Sequence, residues 1–158
     1  MELGHGIHRV DGIRGVNAYI YLPEGGRPVV VDTGMPGNAE KIARQAEALG
    51  RRREEIELIL LTHPDADHAG SVAELKRITG GRVAMHEADA PGLSGDRSYR
   101  RAKGLPGLLF GLVSRFFRFE PVRPDLTLKD GDVVAGLTVV HCPGHTAGSI
   151  LFYLPGEA

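Results

Sequence analysis

Within Thr62-His63-Pro64-Asp65-Ala66-Asp67-His68-Ala69-Gly70, four side chains able to bind a metal ion fall inside six residues: His63, Asp65, Asp67 and His68. Borderline divalent ions such as zinc take imidazole nitrogen and carboxylate oxygen as ligands, at about 2.0–2.2 Å. In a turn that leaves a strand, residues one or two positions apart point into the same space. The adjacent pair Asp67 and His68 must diverge, so it suits two neighbouring ions better than one. Pro64 stiffens the turn, and Gly70 permits a backbone approach that a Cβ would block. A further histidine, His145, follows another β-like run in Cys142-Pro143-Gly144-His145-Thr146. Such a histidine is commonly a hydrogen-bonded loop residue, and its weight comes from the cluster already in the chain. The chemistry this pattern points to is metal-dependent hydrolysis, in which a metal-activated water attacks a carbonyl.

A plainer role for Asp65 and Asp67 is to cap the next helix. Ser71-Val72-Ala73-Glu74 already has the form of a capping box there. Without a cation, two carboxylates and two histidines would be crowded together at the cost of desolvation and like-charge repulsion. The remaining candidates read as structural. His5 and His8 belong to a surface or strand edge, His86 to a hydrogen-bonded strand end, and His141 to core or edge packing. Cys142 reads as a small buried residue beside the site. Arg51-Arg52-Arg53 and Arg100-Arg101 read as solvated surface.

The elements that must position these groups are short. Ile7 to Val10, Val16 to Leu22 and Pro28 to Asp32 are β-branched or alternating runs separated by Asp11-Gly12 and Glu24-Gly25-Gly26. Asn38 can cap a helix with Ile42, Ala46 and Leu49 on one face, and Gly50 ends it. Glu57 to Thr62 is continuously apolar, as a strand buried on both faces is. A second helix runs from Ser71 through Ile78 to Gly80-Gly81, and Arg82 to His86 is the next strand. This order predicts a mixed α/β layer with the cluster at the carboxyl end of a strand, where loops commonly hold ligands. Residues 88–124 read as a helical insertion. The apolar face of its Leu105 to Phe119 segment either packs on the core or overhangs the site as a substrate pocket. From Leu126 the chain returns to hairpins, with turns at Lys129-Asp130-Gly131-Asp132 and Gly136-Leu137 and strands at Thr138 to Cys142 and Ile150 to Leu154.

The 158 residues suit one domain. With 19 basic and 20 acidic residues, no net field recommends a nucleic acid or an anionic membrane as partner. A single cysteine excludes an intrachain disulfide. The start Met1-Glu2-Leu3-Gly4-His5 lacks the basic and apolar regions of a signal peptide. The expectation is a soluble, cytoplasmic protein acting on a small molecule.

Three stretches together resemble the metallo-β-lactamase fold superfamily, from about Gly6 to the last residue. These are Val29-Val30-Val31-Asp32-Thr33-Gly34, the metal turn Leu60 to Gly70, and Pro143-Gly144-His145-Thr146-Ala147-Gly148-Ser149. The resemblance implies an α/β (α+β) fold, an αβ/βα sandwich of two mixed sheets with outer helices. By the same resemblance His63 and His145 would bind a first metal, and Asp67 and His68 a second. Asp67 would also act as the catalytic residue that positions the attacking water. Asp32 would orient the ligands through hydrogen bonds without binding metal. The implied cofactors are divalent ions, with zinc first and manganese or iron as alternatives.

Two departures from that pattern carry expectations. Asp65 stands where the family usually has histidine, and a carboxylate there makes the first site harder, favouring iron or manganese relative to zinc. The chain also ends at Pro155-Gly156-Glu157-Ala158, before the family's bridging aspartate and final histidine. The expectation is therefore an N-terminal portion whose second half is incomplete. Such a form would bind metal weakly or not at all, be inactive by itself, and self-associate through an exposed sheet edge at Thr138 to Leu154. The Pro-Gly-His-Thr turn resembles that of glyoxalase II-like thioesterases and lactonases. The leading reading is hydrolysis of an ester, thioester, lactone or amide bond. A non-haem iron oxygenase or flavodiiron-like redox enzyme, and a non-catalytic binding module of the same fold, remain as alternatives.

Overall fold

The computed structural model describes residues 1–96, 99 and 119–156. Seven strands form one sheet in sequence order: β1 (Glu2–Gly4), β2 (Ile7–Arg9), β3 (Tyr19–Tyr21), β4 (Val29–Val31), β5 (Leu58–Leu60), β6 (Arg82–His86) and β7 (Leu126–Leu128). β1 to β4 pair antiparallel, and β4 to β7 pair parallel. The parallel half needs crossovers. The first is α1 (Ala39–Ala48); the second is α2 (Ala66–Ala69) with α3 (Val72–Thr79). The third crossover, from β6 to β7, begins with α4 (Ala90–Leu93). The expected helix between Leu105 and Phe119 lies outside the described residues, apart from Phe119, which packs against the helical side of the core.

The period-2 alternation of the strands sorts the core into two layers. Ile20, Val30, Ile59, Val83 and Met85 face α1 and α3, meeting Ile42, Ala46, Val72 and Leu75. Tyr21, Val29, Leu58, Leu60 and Ala84 face the other way, onto Leu137, Val139 and Ile150. β5 is thus covered on both sides, which is why its sequence is apolar without a break. Each fully buried Ile or Leu there contributes about 1.5–3 kcal/mol of transfer free energy.

The second layer is a three-stranded antiparallel sheet in the order β10 (Ile150–Tyr153), β9 (Leu137–His141), β8 (Val133–Val134). β8 and β9 are joined through Ala135 and Gly136, both at positive φ, which is the backbone a two-residue hairpin of this twist requires. One face of this sheet packs inward. The opposite face presents Val133, Val140, Leu151 and Tyr153 to solvent. The fold is a mixed α/β arrangement of helices, a seven-stranded mixed sheet and a small antiparallel sheet.

Three local expectations are corrected here. Asn38 stands at the N-terminus of α1 but makes no side-chain cap bond, and its amide donates to Met35 O at 2.8 Å instead. Ser71 sits at the N-terminus of α3 but makes no side-chain cap bond. Its hydroxyl donates to Met35 O at 2.6 Å and accepts the Asn38 N–H at 2.8 Å, tying α3 to the loop after β4. Cys142 is exposed, not buried. It continues the alternation of β9 on the side of Val140, which is the solvent side. The glycine stops did form: Gly50 follows α1 and Gly80 follows α3 with φ of 77° and 75°.

Candidate metal centre

Strands β4, β5 and β6 run parallel, so the residues leaving their carboxyl ends meet at one edge of the sheet. Asp32 leaves β4, Thr62 and His63 leave β5, and His86 ends β6. Asp32 is buried and adopts φ 58°, a left-handed backbone that an aspartate tolerates better than most residues and that turns its carboxylate across the end of β5.

After His63 the chain makes α2, whose four residues bring Asp67 and His68 back over the strand end. Asp65 occupies the N-terminal flank of α2 without a side-chain cap bond, so capping does not explain it. The α2 segment is pinned by Thr33, whose N–H and hydroxyl both donate to His68 O, at 2.6 and 2.9 Å. Gly70 is where this segment crosses Pro36. A Cβ there would stand 2.2 Å from Ala66 O and 2.5 Å from Pro36 Cδ, a clash with groups that cannot move aside.

All five residues singled out in the sequence come together. The ligand atoms of His63, Asp67 and His68 lie within 4.8 Å of one another, as do those of His63, Asp65 and His145. The ring centroids of His63 and His68 are 4.1 Å apart, and those of His63 and His145 are 4.9 Å apart at an 84° tilt. His145 Nε2 donates to Asp65 Oδ2 at 2.8 Å, so these two groups already point at one another with a proton between them.

Asp32 settles which ring nitrogens are free. A carboxylate only accepts, so His68 Nδ1–H donates to Asp32 Oδ2 at 2.8 Å and leaves Nε2 with its lone pair. The Thr62 hydroxyl donates to the same carboxylate, 2.9 Å from Oδ2, and its oxygen lies 2.9 Å from His63 Nδ1. With its own proton committed to Asp32, Thr62 Oγ1 accepts from His63 Nδ1–H, and His63 Nε2 is free as well. The Thr62 N–H adds a third bond to Asp32, at 2.9 Å. Thr62 was not singled out in the sequence. Its only signal is its place between the strand and His63.

The same arrangement separates the two histidines electrostatically. The hydrogen bond to Asp32 raises the pKa of His68 above the ordinary imidazole value, against the opposing effect of burial. Burial lowers that of His63, and the neighbouring His68 adds to the effect. Three imidazoles and the carboxylates of Asp65 and Asp67, with free Nε2 atoms on His63 and His68, form a donor set that fits a divalent cation of the zinc type.

The other histidines take no part in these groups. His86 Nδ1 accepts the Ala88 N–H at 3.2 Å, and its ring stacks on His141 at 4.1 Å. His5 and His8 belong to the hairpin of β1 and β2 at the edge of the large sheet.

A family model of the metallo-beta-lactamase superfamily matches residues 11–157. The chain belongs to that superfamily. It is 32% identical over 157 residues to the human acyl-coenzyme A thioesterase MBLAC2, covering 88% of this chain and 54% of the relative. It is 34% identical over 116 residues to a hydroxyacylglutathione hydrolase of Cereibacter sphaeroides, covering 71% of this chain and 34% of that protein. Among solved structures, the class B3 di-zinc metallo-beta-lactamase LRA-12 from an Alaskan soil metagenome superposes with a TM-score of 0.78. The two are 29% identical, with 96% of this chain and 55% of that one covered. The chain thus spans about half the length of the thioesterase and of the lactamase, and about a third of the hydroxyacylglutathione hydrolase. It is homologous to hydrolases of this fold.

Proposed function

We propose that this centre hydrolyses a small thioester by means of bound divalent metal, zinc first, with manganese or iron competing because of Asp65. The observation that carries the reading is the pair of ligand groups sharing His63, with the Nδ1 atoms of His63 and His68 tied back to one buried carboxylate. When bound, such an ion lowers the pKa of a water and polarises a carbonyl oxygen. His63, Asp65 and His145 would hold one ion, and Asp67 and His68 would hold the other. Asp67, with a half-exposed side chain whose Oδ2 is 3.7 Å from His68 Nε2, would orient the attacking water and take its proton. Asp32 and Thr62 keep both Nε2 atoms aimed at the centre throughout.

Likeness to a thioesterase and a hydroxyacylglutathione hydrolase is the ground for putting the thioester first, and likeness in fold to a metallo-beta-lactamase keeps the amide in the panel. The 158-residue form is proposed to be a poor catalyst by itself. Its described residues offer three ligands to one ion and, once His63 is committed, only Asp67 and His68 to the other. The partner is a small molecule, with neither nucleic acid nor membrane involved. Copies are proposed to pair through the edge strand β10, where Leu151 and Tyr153 are exposed.

The test is a panel of short acyl thioesters, esters, lactones and amides. Turnover is followed by thiol or acid release on zinc-, manganese- and iron-loaded protein, with Asp67→Ala as control. Thioester turnover that Asp67→Ala reduces at least about a hundredfold supports the reading. Parental turnover in Asp67→Ala overturns the role given to that residue. Native iron with oxygen uptake would establish redox chemistry instead.

A further inference from the structure

His145 is the most exposed of the histidines in the centre, with 65% of its side chain open to solvent. It rides on the turn between β9 and β10, and its ring meets Asp65 and His63, which belong to the same centre. A ligand on an exposed turn holds its place only if the turn is anchored from beneath. We infer that Asp89 is the positioning residue for His145, acting through Thr146 and Gly148.

Asp89 lies between β6 and α4 and is completely buried. It stands at the N-terminal flank of α4, yet its side chain makes no cap bond. Its carboxylate reaches instead to residues 57 and 59 positions away. Oδ2 accepts the Thr146 hydroxyl at 2.5 Å, and Oδ1 accepts the Gly148 N–H at 2.7 Å. The Tyr99 hydroxyl also donates to Oδ1. Burying a carboxylate away from water is costly unless its oxygens are hydrogen-bonded, and two of these three donors come from the His145 turn.

The proton directions close without conflict. Thr146 Oγ1 gives its proton to Asp89, so it accepts from Ser149 Oγ at 2.7 Å. Ser149 Oγ in turn accepts the Thr146 N–H at 3.1 Å. Gly148 must lack a side chain, because a Cβ would stand 2.7 Å from Asp89 Cγ and 2.9 Å from Asp89 N. Thr146 points inward, 7% exposed, while its neighbour His145 points outward. Fixing Thr146 and Gly148 on either side of Ala147 therefore fixes the backbone that aims His145. This accounts for Thr146, Gly148 and Ser149 of the motif, which metal ligation leaves unexplained.

The inference rests on the metal reading for its purpose, and two readouts keep them apart. In metal-free protein, the His145 ring resonances report its placement beside His63. Zinc competition titration reports affinity. Thr146→Val keeps the shape and removes the hydroxyl; Thr146→Ser keeps the hydroxyl. Asp89→Asn puts one proton too many into the ring of hydroxyls.

We expect Thr146→Val and Asp89→Asn to shift or broaden the His145 resonances, sparing those of His68, and to weaken zinc about 10- to 100-fold. Thr146→Ser should stay within about threefold of the parent, and Asp89→Asn should cost nothing further in a His145→Ala background. Unchanged His145 resonances in Thr146→Val, or a zinc loss that persists undiminished without His145, would overturn the inference. If Asp89→Asn fails to fold, the two threonine variants decide. If the parent binds no zinc, the His145 resonances alone decide this inference.

Discussion

Replacing Asp32 with asparagine changes one buried atom and tests how the centre is tuned. Asparagine tolerates the left-handed backbone at φ 58°, so the turn survives. The amide oxygen, in the place of Oδ1, still accepts the Thr62 N–H now 2.9 Å away. The amide nitrogen then takes the place of Oδ2 and faces His68 Nδ1–H at 2.8 Å, donor against donor. The conflict is relieved if the imidazole moves its proton to Nε2, which blocks the atom needed for a ligand. Restoring the ligating tautomer forfeits a charge-assisted hydrogen bond of about 1.5–3 kcal/mol. At about 1.36 kcal/mol per factor of ten, zinc affinity falls about 10- to 150-fold.

The metal-free protein has its own signature. Because Asp32 raises the pKa of His68, this pair stabilises the fold below the ordinary imidazole value of about 6.5 and loses that contribution as pH rises through the folded value. Asp32→Asn should therefore lower the denaturation midpoint more at pH 6 than at pH 8. The zinc loss, in contrast, should be evident at pH 8. The assays are chelator competition, urea denaturation at both pH values, and ring nitrogen shifts of His68. Parental zinc affinity with an unmoved His68 proton would refute the assignment of tautomers.

Three further outcomes follow from the same geometry. Asp65→His replaces a carboxylate with a neutral ligand, so elemental analysis after growth with mixed metals should show zinc rising relative to manganese and iron; an unchanged ratio would contradict the role given to charge at that position. Gly70→Ala must displace Pro36 or Ala66 O, and thermal melting should show a loss of about 2 kcal/mol or more; a parental melting temperature would mean that the crossing is loose. Asp125 is bonded to Lys76 and the Val83 N–H, which outweigh burial and hold its pKa below the ordinary carboxylate value; its contribution should be present above about pH 4 and vanish as pH falls below, and Asp125→Asn should flatten that part of the acid denaturation profile by less than about 1 kcal/mol, a profile identical to the parent counting against it.

What could be read without coordinates was local, apart from His145, which the family resemblance joined to the cluster. The unbroken apolar run at β5 announced a strand buried on both faces, because periodicity reports how many sides of an element meet the core. His63, Asp65, Asp67 and His68 announced themselves by spacing, since a strand-to-helix turn gathers near neighbours whatever the rest of the chain does. Tertiary structure decided the pairings between distant segments. Asp65 meets His145 across 80 positions, and the Asp89 carboxylate reaches Thr146 across 57. Thr62 gained its relay role only because β4 lies beside β5 and carries Asp32 to it. Ser71 matched a helix cap in sequence, but the loop after β4 offered its hydroxyl closer partners. Cys142 looked buried until the pairing of β9 with β10 set which face of the strand met solvent. Residue type and spacing fix what a side chain can bond to, whereas the partner it finds depends on which distant segment the core brings within about 3 Å.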